Sequence, residues 1–244
     1  MTVVYQITDP HVPVAANDPV QLNYLRLMQF IASNPADLLV ITGDLPPVGK
    51  DGDPEVYRWI KANIPLDQKT IVLPGNHDDA TVMYTEFGAE HCHNREFCFT
   101  IPLVDVDLVF SNTCSGQYPQ DQLAYLQQPH IRDNSILFTH YPTRKISDGY
   151  MDRTYPLGNA SDADRVICKS RVEHVFCGHF HTQHQVRVQG PDTGGYFLNV
   201  TPSPAFGVEL NEAKPVVTPP RIPLRKIEII GTDVRSEVIY LDQQ

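Results

Sequence analysis

Residues 3–7, VVYQI, are a short apolar run that stops at Thr8-Asp9-Pro10. Such a run predicts a buried strand. Over 19–33 the period changes. Val20, Tyr24, Leu27, Met28 and Ile31 fall at i, i+4, i+7, i+8 and i+11, one face of a helix. Asp18 stands where a cap is needed and Pro19 where the first turn begins. Leu38 to Ile41 is apolar at every position, which predicts a strand buried on both faces, closed by Thr42-Gly43-Asp44. A helix over 54–62 follows, then a buried strand over 70–73 closed by Pro74-Gly75-Asn76-His77. Strand, helix, strand, helix, strand is the rhythm of an α/β chain.

The middle predicts strands near 96–101 and 106–111, a helix near 119–128, and a strand over 135–139 that ends at His140. Residues 141–160 form a long polar loop. A helix near 162–169 and a strand over 172–177 come next. The pattern then shifts to strands at 183–189, 195–200, 225–231 and 233–240 in hairpin-like succession. These last strands are expected to be antiparallel and to build a second sheet. The proline-rich stretch 215–223 is too short for a domain linker, and there is no internal repeat. A single domain over 1–244 is the expectation.

Ligands of α/β sheets gather at the carboxyl ends of the strands. Asp9, His11, Asp44, Asn76, His77, His140, His179 and His181 all lie just beyond predicted strands. They are two carboxylates, one amide and five imidazoles, an oxygen-and-nitrogen set suited to Zn, Fe, Mn or Co. Seven ligands are too many for one tetrahedral ion and suit two ions sharing a carboxylate, the arrangement used for phosphoester hydrolysis. A net charge of −10 disfavours a nucleic-acid polymer as partner. Five cysteines without a CxxC pair argue against a disulfide framework. No signal peptide or membrane-spanning run is visible, so a cytoplasmic enzyme without a membrane partner is expected.

Read in order, the clusters are DPH at 9–11, GD at 43–44, GNHD at 75–78, His140, and GHFH at 178–181. This series resembles the calcineurin-like metallophosphoesterases, and TPSPAF at 201–206 is similar to a segment of the class III cyclic-nucleotide phosphodiesterases. The resemblance implies a four-layer α-β-β-α sandwich, two mixed sheets flanked by helices. It implies two divalent or mixed-valence ions, the first on Asp9, His11 and His181, the second on Asn76, His140 and His179, with Asp44 bridging. A hydroxide between the ions would attack phosphorus. His77 would bind no metal and would protonate the leaving oxygen or hydrogen-bond to the developing charge. Dimers are common in the group, so a homodimer is expected, with 215–223 as a contact.

Each residue also has an ordinary reading. Asp9 before Pro10 suits an Asx turn, Asn76 suits a turn, and a lone His140 suits a satisfied loop histidine. All of them falling in family order outweighs these readings. His184 is taken as structural, and His91 and His93 as a solvated loop. Arg144, after His140, is a candidate to reach substrate, with Asn76 and His77. The expected substrate is a small phosphodiester such as a 3',5'-cyclic nucleotide. A glycerophosphodiester, a nucleotide pyrophosphate and a non-catalytic metal scaffold are the alternatives. Many cyclic-nucleotide members carry a histidine where this chain has Tyr141.

On an extended backbone, His179 and His181 at i and i+2 would share one face. Gly178 is read as the residue that lets the chain turn there.

Overall fold

The computed structural model describes residues 1–190 and 194–241. Three strands, β1 (Thr2–Ile7), β2 (Leu38–Ile41) and β3 (Thr70–Val72), run parallel and are joined by α1 (Pro19–Ser33) and α2 (Pro54–Asn63). The helix starts are where the sequence puts them. The Asp18 carboxylate accepts from the Val20 amide at 2.8 Å, and Asp53 does the same for Glu55 at 2.9 Å. Helices α3 (Ala80–Phe87) and α4 (Ala89–Cys92) occupy a stretch without a strong apolar period. Asp79 caps α3 through the Thr81 and Val82 amides.

The second sheet begins with β4 (Phe99–Pro102), β5 (Asp107–Phe110), β6 (Ser135–Phe138) and β7 (Val172–Cys177). β4 starts later than the apolar run suggests. The Asn94 side chain bonds the amide and carbonyl of Cys98 and holds that segment in a turn. Helix α5 (Gln120–Tyr125) is shorter than expected. Helix α7 (Ala160–Lys169) begins two residues early. Within the expected loop 141–160 lies a short helix, α6 (Tyr150–Thr154).

The final strands require a correction. β8 (His184–Gln189) and β9 (Gly195–Val200) form a hairpin, but β9 also runs parallel to β7, giving the order β4-β5-β6-β7-β9-β8. After the small hairpin of β10 (Gly207–Val208) and β11 (Val217–Thr218), β12 (Pro223–Ile230) and β13 (Asp233–Tyr240) join the first sheet, in the order β13-β12-β1-β2-β3. They are antiparallel as expected but build no sheet of their own. β12 is buried along most of its length, which an outer strand could not be, and it sits between β1 and β13. The outcome is two mixed sheets flanked by helices, as the resemblance implies.

Strand alternation divides the core. Phe110, Phe138 and Phe176 point toward the first sheet and stack across neighbouring strands at 5.4 and 5.6 Å. Val109, Leu137 and Val175 point the other way, into a second cluster with α5 and α7. Toward the carboxyl ends the layer between the sheets becomes polar. Gln6 Nε2 donates to Thr42 Oγ1 (2.9 Å) and the Cys177 carbonyl (3.3 Å). Thr201 donates to Gln6 Oε1 (2.6 Å) and accepts from buried Arg225 (2.7 Å). A fully partnered network of this kind fixes the registry of the two sheets where the site is built.

Candidate metal centre

Each strand-end cluster folds into a tight loop. Asp9, His11, Asp44, His179 and His181 all have positive φ, between 41° and 66°. This region is uncommon for residues with a Cβ and concentrates at functional sites. The GHFH segment is therefore not extended. The Phe180 amide closes on the Gly178 carbonyl at 2.8 Å around His179, and the His179 amide donates to both oxygens of the Asp9 carboxylate. The two histidines are brought together by this turn rather than by a strand pleat. Gly178 does not serve through a left-handed turn either. A Cβ there would overlap the side chains of Thr8 and Asp9. At Gly75 a Cβ would lie 2.6 Å from the Asp44 amide and 2.7 Å from His140 Cε1.

These loops bring two groups of ligand atoms together. Asp9, His11, Asp44 and His181 form one; Asp44, His140 and His179 form the other. All six side chains are buried. Asp44 belongs to both groups. Its Oδ1 accepts from the His77 amide at 2.8 Å. Its Oδ2 lies 3.3 Å from His140 Nε2 and 3.8 Å from His11 Nε2. Asn76 Oδ1 is 3.1 Å from His140 Nε2, so the amide joins the second group. Asp9 is held by the Thr8 hydroxyl at 2.6 Å and lies 3.2 Å from His181 Nε2.

The tautomers follow from the main chain. His11 Nδ1 faces the Pro46 carbonyl (2.9 Å), His140 Nδ1 that of Thr42 (2.7 Å), His181 Nδ1 that of Phe206 (3.2 Å), and His179 Nε2 that of Tyr155 (2.9 Å). A carbonyl only accepts, so each of these nitrogens carries the proton. The other nitrogen of each ring is then the one aimed inward, and it offers a lone pair whenever the ring is neutral. His11 Nε2 and His181 Nε2 are 3.2 Å apart. At that distance the two nitrogens share either a proton or a metal ion. The donor set thus fits a metal on chemical grounds.

Carboxylates and imidazoles shift one another strongly. Burial and the neighbouring His181 lower His11 to about 4, and burial with His140 lowers His179 to about 3, so both stay neutral. Burial would raise Asp9 and Asp44, but the histidines reverse it. Asp9 falls to about 2, chiefly through His181, and Asp44, through His140, lies well below the usual carboxylate range. His140 is the exception. Burial, the largest single influence, lowers it, yet Asp44, Asp9 and the Thr42 carbonyl together lift it to about 9.

His77 stands in neither group. Its Nδ1 is 2.7 Å from Asp51 Oδ1, so Nε2 is the ring nitrogen left for the cavity that His77 lines. Asp78 accepts from the amides of Asp44, Gly75 and Leu45 and ties the second and third loops together. Arg144 departs from expectation. It pairs with Asp164 at 3.6 Å and does not line the cavity, since the loop turns its guanidinium toward α7. Tyr141 is buried with its ring 3.9 Å from that of His179, packing on a candidate ligand rather than reaching the cavity. His91 bonds the Thr70 carbonyl and His93 stacks on Phe99, both away from the two groups. His184 begins β8. The 215–223 stretch supplies Pro215 and Val217 to the cavity.

Sequence reasoning missed Asp51, Tyr155 and Phe206. Only Phe206 lay in a stretch already singled out, TPSPAF. There the Ser203 hydroxyl also donates to the Asp9 carbonyl at 2.7 Å.

The model of a family described as calcineurin-like phosphoesterase matches residues 2–183. A protein of Fibrobacter succinogenes described as a probable cyclic nucleotide phosphodiesterase is 27% identical over 216 residues, covering 84% of this chain and 81% of the relative. A probable glycerophosphodiester phosphodiesterase of Arcobacter nitrofigilis is 29% identical over 157 residues, covering 59% of this chain and 56% of the relative. Among solved structures, the fold is similar to purple acid phosphatase PPD1 of yellow lupin. The TM-score is 0.64 at 14% identity, covering 98% of this chain and 51% of that one. A dimetal phosphatase of Danio rerio gives a TM-score of 0.63 at 10% identity, covering 98% of each chain.

Proposed function

Since the chain belongs to the calcineurin-like phosphoesterase family, we propose that residues 1–244 act as one domain hydrolysing small phosphodiesters, such as a 3',5'-cyclic nucleotide, with two metal ions. The observation that carries this reading is the pair of ligand groups sharing Asp44, with the second ring nitrogens of four histidines turned inward. Asp9, His11 and His181 would hold one ion, and Asn76, His140 and His179 the other, with Asp44 between them. Mn, Fe, Zn and Co all suit this donor set. Bound there, two ions lower the pKa of water and neutralise charge on the phosphoryl oxygens.

The remaining steps fall to the chain. His77 Nε2 faces the cavity and donates a proton to the leaving oxygen. Asp51, on Nδ1 of the same ring, fixes its orientation. The main-chain carbonyls at 42, 46, 155 and 206 hold the four imidazoles, so the ligands need no rearrangement to bind. No lysine or arginine is among the described residues lining the cavity, so bound ions would meet the substrate's charge. No described helix is long and apolar enough to cross a membrane. The five cysteines are unpaired, which supports a reducing, cytoplasmic setting.

The test is hydrolysis of bis(p-nitrophenyl) phosphate with added Mn²⁺, by protein whose metal content is measured in parallel. Turnover with two ions per chain is expected. Protein that binds two ions yet hydrolyses no phosphodiester with any divalent metal would refute the reading and favour a scaffold. Turnover compared across cyclic nucleotides, glycerophosphodiesters and nucleotide pyrophosphates then ranks the substrate classes.

A further inference from the structure

Above the ligand groups the cavity is about 350 Å³ in volume, room for one phosphodiester with a ring-sized substituent. The floor is polar; the rest is not. Tyr150, Met151 and Tyr155 line one side, Val208 and Val217 the other. Tyr155 is 48% exposed and Val217 62%, so this apolar surface faces solvent at the mouth. The tyrosine rings meet edge to face at 5.9 Å.

The two sides are one unit. The Tyr150 amide donates to the Glu212 carbonyl at 2.7 Å, Arg153 Nη2 to that of Ala213 at 2.7 Å, and the Ser147 hydroxyl to that of Leu210 at 3.1 Å. A Cβ on Gly149 would strike the Leu210 carbonyl, so only glycine permits this closeness. The Asp152 carboxylate accepts from the Ser147 amide and hydroxyl, both at 2.8 Å, and stiffens the loop from within.

An acyclic phosphodiester has two separate substituents. One leaves, with its oxygen near His77. The other has the wall beside it, where a flat ring meets the tyrosine rings and the valine side chains. Resting on the phosphodiesterase reading, we propose that the wall built from α6, Tyr155 and the β10–β11 hairpin selects diesters whose retained substituent is a flat aromatic ring. Tyr155 is its principal contact. It is a specificity-determining residue, and its main-chain carbonyl separately orients His179.

The experiment uses the metal-loaded protein and diesters that share p-nitrophenolate as leaving group and differ in the retained group: phenyl, cyclohexyl or glyceryl. The phenyl diester is expected to exceed the glyceryl one by about tenfold in kcat/KM, carried by KM, the scale of one aromatic contact. Tyr155→Ala reduces that preference to less than about threefold. Tyr155→Phe retains it, which separates loss of the ring from misfolding. Calorimetric affinities for phenylphosphonate and methylphosphonate read the wall without turnover. If neither diester is hydrolysed, the phosphodiesterase reading fails, and the phosphonate ratio still decides the wall. Equal affinity for both phosphonates, a preference surviving Tyr155→Ala, or a cyclohexyl diester equal to the phenyl one overturns the proposal.

Discussion

The floor and the wall of the cavity obey opposite rules. The floor is charged and buried, and main-chain carbonyls hold its four imidazoles. The wall is apolar and open to solvent, and it is held together by one loop donating to the carbonyls of another. Burial makes each floor position costly to change, because an unpaired charge or lone pair is left behind. Exposure makes each wall position cheap to change, because water replaces what is lost. Chemistry belongs to the first region and choice of substrate to the second.

That division can be broken from the floor first. Asp44→Ala removes the one carboxylate common to both groups. Metal content is expected to fall below one ion per chain and kcat/KM by about a thousandfold or more, read by elemental analysis and diester hydrolysis. His77→Ala should retain both ions and lose roughly 100- to 10,000-fold in kcat, the range of a proton donor. Loss of metal in that variant would place His77 among the ligands instead. Asp51→Asn should be milder, about tenfold in kcat with metal content unchanged, since it leaves the ring but weakens its hold. The smallest effect belongs to the wall. Val217→Ala should raise KM for an aryl diester by roughly twofold, the share of an exposed side chain, and leave metal content and melting temperature as they were. A metal deficit in that variant would show that wall and floor are one cooperative unit.

The two regions also differ in how far the sequence reveals them. The floor is visible because metal binding demands particular residue types and strand ends impose their order. Asp9, Asp44, Asn76, His140, His179 and His181 can be picked out before any coordinates. What the sequence does not show is how they are presented. Left-handed φ at Asp9, His11 and Asp44 has no compositional signal, and the alternation expected for GHFH gives way to a turn around His179. Gly178 shows the same limit: it is required by the side chains of Thr8 and Asp9, far away in the chain. The wall is nearly silent. α6 is a five-residue helix inside a polar stretch, and β10 and β11 are two residues each. Arg144 was drawn toward substrate by its place after His140, but charge in a loop carries no direction, and Asp164 claims it. The exchange of β12 and β13 between sheets is hidden for a similar reason. Periodicity says that a strand is buried but not between which partners.

The carbonyls that orient the imidazoles have a consequence for how such a protein can diverge. No side-chain substitution deletes a carbonyl, so the side chains at 155 and 206 can change while the tautomers stay fixed. At Tyr155 and Phe206 both roles meet in one residue: the side chain faces the cavity and the main chain serves the metal ligands. Evolution can therefore rewrite what the pocket accepts, residue by residue, without a detour through inactive intermediates. A mutational library confined to those side chains should yield new substrate ranges from variants that keep their catalytic centre.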